Sequence, residues 1–417
     1  MILPITLDEY LKRVEVVNRE FMNQLNINSK NPDREDMFKL DSAISCLGVR
    51  ADNDIFYDVL KISSGTDDKI EKRTGNVGIN VIYGQENGLN FRKVAPVEKA
   101  YDTKGFTSRS PIEILSESGK FYFAVDGNSM SEINFMDAPK WYSNEVNGVK
   151  ASSILQNELG NLMGTIPLIT KEGAGYQTCI YIENEVPCNF CGLESKKKDL
   201  IPTDYAEVVK MALDENSNTT VTLTAGNTPT KNRGIEYYSD FVKAIRKVSD
   251  NIPIEVEASP PTKQDSYKII EELLDAGITS YMSNLEVYDK VARKAALPAK
   301  SNIPLEDYMK SFDVANSLYL PTYSVLIVGL EDKSSTIDGV EFLARNGVTT
   351  VPLPFKPVQG AEYQFRTPTN PAVFAEVSIQ AVEIMRDYGV NPSARSSGGC
   401  SQCGGCSVEC NRDRNFK

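Results

Sequence analysis

The sequence predicts an α/β fold: a (βα)6-type partial TIM barrel, preceded by an α+β accessory domain and followed by a short cysteine-rich tail. Three observations lead to it. Short apolar runs recur beyond residue 178, as expected of strands covered on both faces. Stretches of helical length and periodicity separate them, the alternation of a parallel sheet. Before about residue 165 this alternation is missing, and seven of the eight cysteines lie after it.

Taken in order, residues 1–165 form the accessory domain. It opens with an amphipathic helix, Leu7–Leu25, and continues with short strand patterns such as Val77–Tyr83 and Lys120–Val125, with turns at Gly65 and at Gly127-Asn128. The barrel occupies 166–370. Its predicted strands are Thr178–Ile182, Thr220–Thr224, Ile254–Ala258, Thr279–Met282, Tyr323–Val328 and Thr349–Pro352. Its predicted helices lie near Asp204–Leu213, Ile235–Val248, Lys263–Asp275, Leu305–Ser317 and Ser335–Asn346. Thr203-Asp204 opens the first of these, and Gly277 follows the third. Residues 371–417 form a last helix, Pro371–Tyr388, and the cysteine tail. In barrels of this kind active sites gather at the C-terminal ends of the strands.

Composition excludes several kinds of chemistry. Hydrophobic residues make up 41% of the chain and charged residues 24%, as in a globular protein with a substantial core. No apolar run has the length of a membrane span, and the N-terminus lacks the pattern of a signal peptide, so a cytoplasmic protein without membrane contact is expected. Net charge is −12, and Lys196, Lys197 and Lys198 make the single compact basic run, which disfavours nucleic-acid partners. The chain contains no histidine. That excludes serine–histidine triads, HExxH zinc sites and cysteine–histidine nucleophiles. What remains is chemistry by cysteine, carboxylate, lysine, tyrosine or a cofactor, and no catalytic residue is singled out.

The cysteines fall into two groups, with Cys46 alone. Such grouping reads as metal or redox chemistry before disulfides. Cys179, Cys188 and Cys191 are spaced C-x8-C-x2-C, with Phe190 before the last cysteine and Gly192 after it. A structural metal normally takes four protein ligands, whereas three leave a position for a small molecule. Buried thiols or a zinc knuckle are the alternative. Cys400, Cys403, Cys406 and Cys410 are spaced C-x2-C-x2-C-x3-C among glycines. The same spacing occurs in ferredoxins. Four thiolates here suit an iron–sulfur centre, a mononuclear iron or a structural zinc.

Several strand ends carry polar groups or glycine. Thr224-Ala225-Gly226-Asn227 follows the second predicted strand, and Glu255 and Glu257 share one face of the third. Glu286, Arg293, Lys294 and Lys300 follow the fourth; Ile327 and Gly329 end the fifth. Tyr281, Tyr323, Lys356 and Gln359 are further candidates to line the barrel.

With the cysteine loop, these features resemble the radical SAM superfamily, in its biotin-synthase-like branch. The family's cluster loop reads C-x3-C-x-aromatic-C, and the first spacer here is longer. Asn284 to Glu331 and the tail look like an uncharacterised radical SAM family with a C-terminal auxiliary-cluster tail. The resemblance covers about residues 175–410. It implies a [4Fe–4S] cluster on Cys179, Cys188 and Cys191 that binds S-adenosylmethionine (SAM). It further implies SAM contacts from Phe190, Gly226, Asn227, Glu257, Glu286, Arg293, Ile327 and Gly329. The expected reaction is reductive cleavage of SAM to a 5′-deoxyadenosyl radical that abstracts hydrogen from a small-molecule substrate. An electron donor such as ferredoxin or flavodoxin is expected. A second [4Fe–4S] or other iron–sulfur centre on Cys400, Cys403, Cys406 and Cys410 would serve electron relay, substrate anchoring or sulfur donation. The alternatives are an iron–sulfur carrier without SAM cleavage and a zinc-binding α/β protein.

Overall fold

A computed structural model describes residues 5–65, 77–102, 105–171, 173–193, 195–392, 399 and 403–416. Helix Leu7–Leu25 starts where expected because Thr6 and Glu9 cap it reciprocally. The Thr6 amide donates to Glu9 Oε2 (2.9 Å) and the Glu9 amide to Thr6 Oγ1 (3.3 Å). Helix Arg34–Leu47 begins in the same way at Asp33 and Asp36.

Six strands dominate the N-terminal part: β1 (Val49–Ala51), β2 (Val77–Tyr83), β3 (Phe91–Lys99), β4 (Ile112–Glu117), β5 (Lys120–Val125) and β6 (Asn128–Phe135). They close into a barrel in the order β1-β3-β2-β6-β5-β4, since β1 runs parallel to both β3 and β4. The sequence does not predict this closure, because a three-residue strand carries no alternation of its own. β1 reaches β3 only at Val97–Lys99, so the edge of β3 from Phe91 to Ala95 lies open to another partner. The core contains Phe38, Tyr83, Phe91 and Phe123, joined by Phe374 and Val377 of helix Pro371–Asp387. Inside it Lys93 Nζ lies 3.0 Å from Asp41 Oδ1, both side chains fully buried. Tyr83 donates its hydroxyl to Asp41 (2.6 Å), and Lys93 donates to Ser45 Oγ (2.7 Å).

The second part is one open sheet of β7 (Gln156–Glu158), β8 (Asn161–Thr165), β9 (Thr220–Thr224), β10 (Ile254–Glu257), β11 (Ser280–Met282), β12 (Thr322–Val328) and β13 (Thr349–Pro354). Their order is β13-β12-β11-β10-β9-β8-β7; β8 to β13 are parallel and β7 is an antiparallel edge. Helices Pro202–Glu215, Tyr238–Arg246, Ser266–Ala276, Leu305–Ser317 and Lys333–Arg345 connect successive parallel strands, and Pro371–Asp387 follows β13. The last five parallel strands lie within two residues of their predicted bounds.

The first predicted strand is a correction. Thr178–Ile182 is not a strand: Cys179 is extended and Ile180–Glu183 forms a helical turn. A short apolar run fits either period equally well. The sixth parallel strand is β8, whose Asn161 and Gly164 hide it from an apolar-run search. The architecture is a mixed α/β fold with one closed barrel and one open sheet whose edge strands, β7 and β13, do not pair with each other among the described residues.

The open sheet's two faces differ because side chains alternate along each strand. Val221, Leu223, Ile254, Val256, Tyr281 and Leu326 pack under the helices. The opposite face carries Asn161, Thr222, Glu255 and Ser280 in one hydrogen-bonded row, and then Met282, Tyr323, Val325, Ile327 and Val351. Among the described residues no helix is long and apolar enough to cross a membrane.

Replacing Lys93 by Ala would leave Asp41 buried without its cation. Such a change costs about 3–5 kcal/mol, read as a lower midpoint in chemical denaturation of the whole chain.

Candidate functional site

The site is built where the chain between β8 and β9 crosses the C-terminal ends of the parallel strands. Leu168–Thr170, Gly173–Gln177 and Lys196–Lys197 form a small antiparallel sheet leading into Cys179. Three hydrogen bonds fix Cys179 and its neighbours to the end of β9. The Ile180 amide donates to Asn227 O (2.7 Å), the Asn227 amide donates to Cys179 Sγ (3.3 Å), and Asn227 Nδ2 donates to the Tyr181 hydroxyl (3.1 Å). The approach requires Gly226. A Cβ there would overlap Thr178 O and come within 2.6 Å of Cys179 Cβ.

Cys188 and Cys191 are placed by contacts from elsewhere in the chain. Asn189 donates its amide to Ala296 O (2.8 Å) and Nδ2 to Ala295 O (2.7 Å), and its carbonyl accepts from the Tyr363 amide (2.8 Å). Gly192 lies against Val358, with no room for a Cβ. The eight-residue spacer thus makes one helical turn and returns the chain to the strand ends. Cys188 and Phe190 pack against the apolar group that contains Met282, Val325 and Ile327.

The three thiols interact electrostatically with one another. Burial raises the pKa of Cys179, and Asn227, Tyr181 and Lys300 oppose the rise. Burial also pushes Cys188 up, and Glu286 adds to it. Lys300 Nζ lies 3.0 Å from Glu286 Oε2. Burial pulls the pKa of Lys300 down, but Glu286, Tyr308 and Cys188 outweigh it and hold the lysine protonated. Among the described residues, no three cysteine or carboxylate side chains converge closely enough to hold a single metal ion. A cubane cluster spreads its thiolates over separate irons and needs them farther apart. Three mutually interacting thiols, a backbone N–H directed at one sulfur and a protonated lysine beside them fit such an anionic cluster.

The remaining predicted residues divide. Glu257 Oε1 accepts from Asn284 Nδ2 (2.8 Å), while Asn284 Oδ1 accepts from the Val325 amide (3.1 Å), so the amide holds the carboxylate in place. Glu286 has φ +67, unusual for a side-chain-bearing residue, and two bonds to β12 hold it: its amide to Val325 O and the Ile327 amide to its carbonyl, both 2.8 Å. Ile327 belongs to the apolar wall. Gly329 (φ +97) turns against Thr369, whose hydroxyl donates to Val328 O (2.7 Å).

Arg293 is not brought into the group. Its guanidinium donates to Leu285 O, Val287 O and the Tyr308 hydroxyl, and it is buried there. Lys300 stands at the cysteines instead. Both residues follow β11, and spacing alone does not separate them. Tyr281 faces the helices, Tyr323 the apolar wall, and Gln359 is exposed. Glu255 is fully buried, with Thr222, Ser280 and Gly399 against it. Asn284, Tyr181 and Tyr363 are absent from the sequence-based set, since their roles arise from distant contacts.

In the tail, Cys403 and Cys410 are buried and Cys406 is exposed; Cys400 lies outside the described residues. Glu409 is buried beside Cys410, its Oε1 accepting from Ser407 Oγ (2.7 Å), and burial pushes its carboxyl up to about 7. Gly404 lies against Cys410, where a Cβ would approach Cys410 Cβ to 2.8 Å.

No family model matches the chain. Bacteriochlorophyllide c C-7(1)-hydroxylase of Chlorobaculum limnaeum is 26% identical over 205 residues, 46% of this chain and 50% of that protein. The chain therefore spans about half the length of this curated relative. Among solved structures, the FeFe-hydrogenase maturase HydG of Carboxydothermus hydrogenoformans has 16% identity and a TM-score of 0.37, covering 60% of this chain and 59% of its own. Coproporphyrinogen III oxidase of Escherichia coli, a radical SAM enzyme, has 12% identity and a TM-score of 0.34, covering 49% of this chain and 50% of its own. Structural likenesses this distant assign no activity by themselves.

Gly226→Ala is expected to force Cys179 away from β9. Overpacking of this kind costs about 1–3 kcal/mol, and alkylation of Cys179 in metal-free protein, followed by peptide mass spectrometry, is expected to accelerate.

Proposed function

We propose that this chain is a radical SAM enzyme. The observation that carries the reading is the junction of Gly226-Asn227 with Cys179, which seats one of three interacting thiols at the C-terminal end of β9, within an array of six parallel strands. Active sites of parallel α/β folds lie at that end. The open sheet is read as the strands of a (βα)6 partial barrel.

Cys179, Cys188 and Cys191 would hold a [4Fe–4S] cluster with one iron free for SAM. Such a cluster would supply one electron to the SAM sulfonium, breaking its C5′–S bond to give methionine and a 5′-deoxyadenosyl radical that would take a hydrogen atom from substrate. The chain's own part is orientation and exclusion of water. Glu257, fixed by Asn284, accepts from ribose hydroxyls. Lys300 takes the methionine carboxylate in place of Arg293, with Glu286 holding it. Phe190, Ile327 and the turn at Gly329 form the apolar side for adenine. Met282, Val325 and Val351 keep the radical's surroundings dry. Cys400, Cys403, Cys406 and Cys410 would hold a second iron–sulfur centre. The substrate is a small molecule, and a ferredoxin or flavodoxin supplies the electron.

Anaerobic reconstitution, followed by dithionite and SAM, tests this. Two cubanes give about eight irons per chain, and 5′-deoxyadenosine forms. Iron without SAM cleavage, even with candidate substrates, would indicate a cluster carrier; bound zinc without sulfide would indicate a zinc protein. Cys188→Ala is expected to abolish 5′-deoxyadenosine formation while leaving the second centre's iron. Lys300→Met removes a charge-assisted hydrogen bond of about 1.5–3 kcal/mol, so the Kd for SAM should rise about 10- to 100-fold by equilibrium binding.

A further inference from the structure

The edge of β3 that β1 leaves open is covered by the chain's own tail. Two alternate amides of this segment donate to it, Val94 to Gly405 O (2.8 Å) and Arg92 to Asn411 Oδ1 (3.2 Å), and so does the amide of Asn90, the residue just before β3, to Asn415 Oδ1 (2.8 Å). Asn411 Nδ2 returns bonds to Arg92 O and Asp41 Oδ2, both 3.0 Å. One asparagine side chain thus satisfies both the amide and the carbonyl of Arg92, as a neighbouring strand would. Lys93 Nζ donates to Ser407 O (2.9 Å), which extends the buried Lys93–Asp41 pair into the tail.

The same segment reaches the open sheet. Cys403 packs with Val94 of β3 and with Leu159, in the turn between β7 and β8. Arg92 donates to Leu159 O (2.8 Å). A Cβ at Gly405 would come within 2.5 Å of Val94 Cγ2 and 2.8 Å of Leu159 Cδ1, so a side chain there would have to displace its neighbours. Gly399, before the first tail cysteine, lies against Glu255 on the sheet's polar face. The tail therefore starts on the open sheet and ends on the closed barrel.

Resting on the reading that the tail cysteines bind an iron–sulfur centre, we propose that the N-terminal barrel is the receptor that assembles it. The open edge of β3, latched by Asn411 and Lys93, holds Cys403, Cys406 and Cys410 in place for the metal. Ordering backbone costs about 1–2 kcal/mol per residue, and a glycine-rich loop is the costlier case. Bonds to β3 offset part of that cost. Docking and metal loading then favour the same state, so each strengthens the other.

Full-length Asn411→Ala and Asn415→Ala proteins, reconstituted anaerobically, test this by iron and sulfide content and by amide hydrogen exchange. Asn411→Ala should fall from about eight irons to about four, with the first centre retained. Exchange at Arg92 and Val94 should be at least about 10-fold faster. Asn415→Ala, at a more exposed contact, should accelerate Asn90 chiefly and lose less iron; it keeps the test decisive if the first variant folds poorly. Full iron in both variants, with unchanged protection of Asn90, Arg92 and Val94, overturns the receptor role. A wild-type protein holding no more iron than Cys403→Ala/Cys406→Ala/Cys410→Ala overturns the second centre itself, and the receptor role with it. Faster exchange in Asn411→Ala would then still report the docking.

Discussion

The contact between Gly226 and Cys179 is the constraint on which the site depends. A strand end and a loop meet there with no side chain between them, because any Cβ at Gly226 would overlap the Thr178 carbonyl. That closeness lets Asn227 use its amide, carbonyl and side chain at once, on Cys179, Ile180 and Tyr181. Cys179 is thereby set by β9, a buried strand of the open sheet. The other two cysteines need no proximity in sequence, because Ala295, Ala296 and Tyr363 fix Asn189 between them.

Around these thiols the charges are few and matched. Lys300 and Glu286 form one half-buried pair, and the lysine opposes the rise that burial imposes on Cys179 and Cys188. Glu286 reaches that position through a left-handed backbone conformation, stabilised by two bonds to β12. Arg293, in the helix Lys290–Ala296 that follows that turn, acts differently, since its guanidinium satisfies the carbonyls of Leu285 and Val287. The two cations illustrate how burial decides role. A guanidinium with its donors occupied by carbonyls is structural, whereas an ammonium facing thiols and a carboxylate remains available to an anionic ligand.

The closed barrel and the open sheet share more than a linker. Helix Pro371–Asp387 contributes Phe374 and Val377 to the barrel core and Ala381 and Met385 to the core beneath the sheet. The tail then crosses back, with Gly399 against Glu255 and Asn411 against Arg92.

The sequence alone determined the parts whose physics is local. Helix Leu7–Leu25 follows from its capping box and periodicity, and the strands from Thr220 to Pro354 follow from short apolar runs between helices. The grouping of the cysteines and the absence of histidine narrowed the chemistry before any fold was known. Tertiary structure decided whatever depends on distant contacts. It made Cys179 the start of a helical turn instead of a strand residue, and gave the first parallel position to β8, whose Asn161 belongs to a hydrogen-bonded row. It closed the N-terminal barrel through a three-residue strand. Finally, it chose Lys300 over Arg293 at the cysteines, because which of two cations near β11 finds free carbonyls and which finds Glu286 depends on packing that spacing along the chain does not encode.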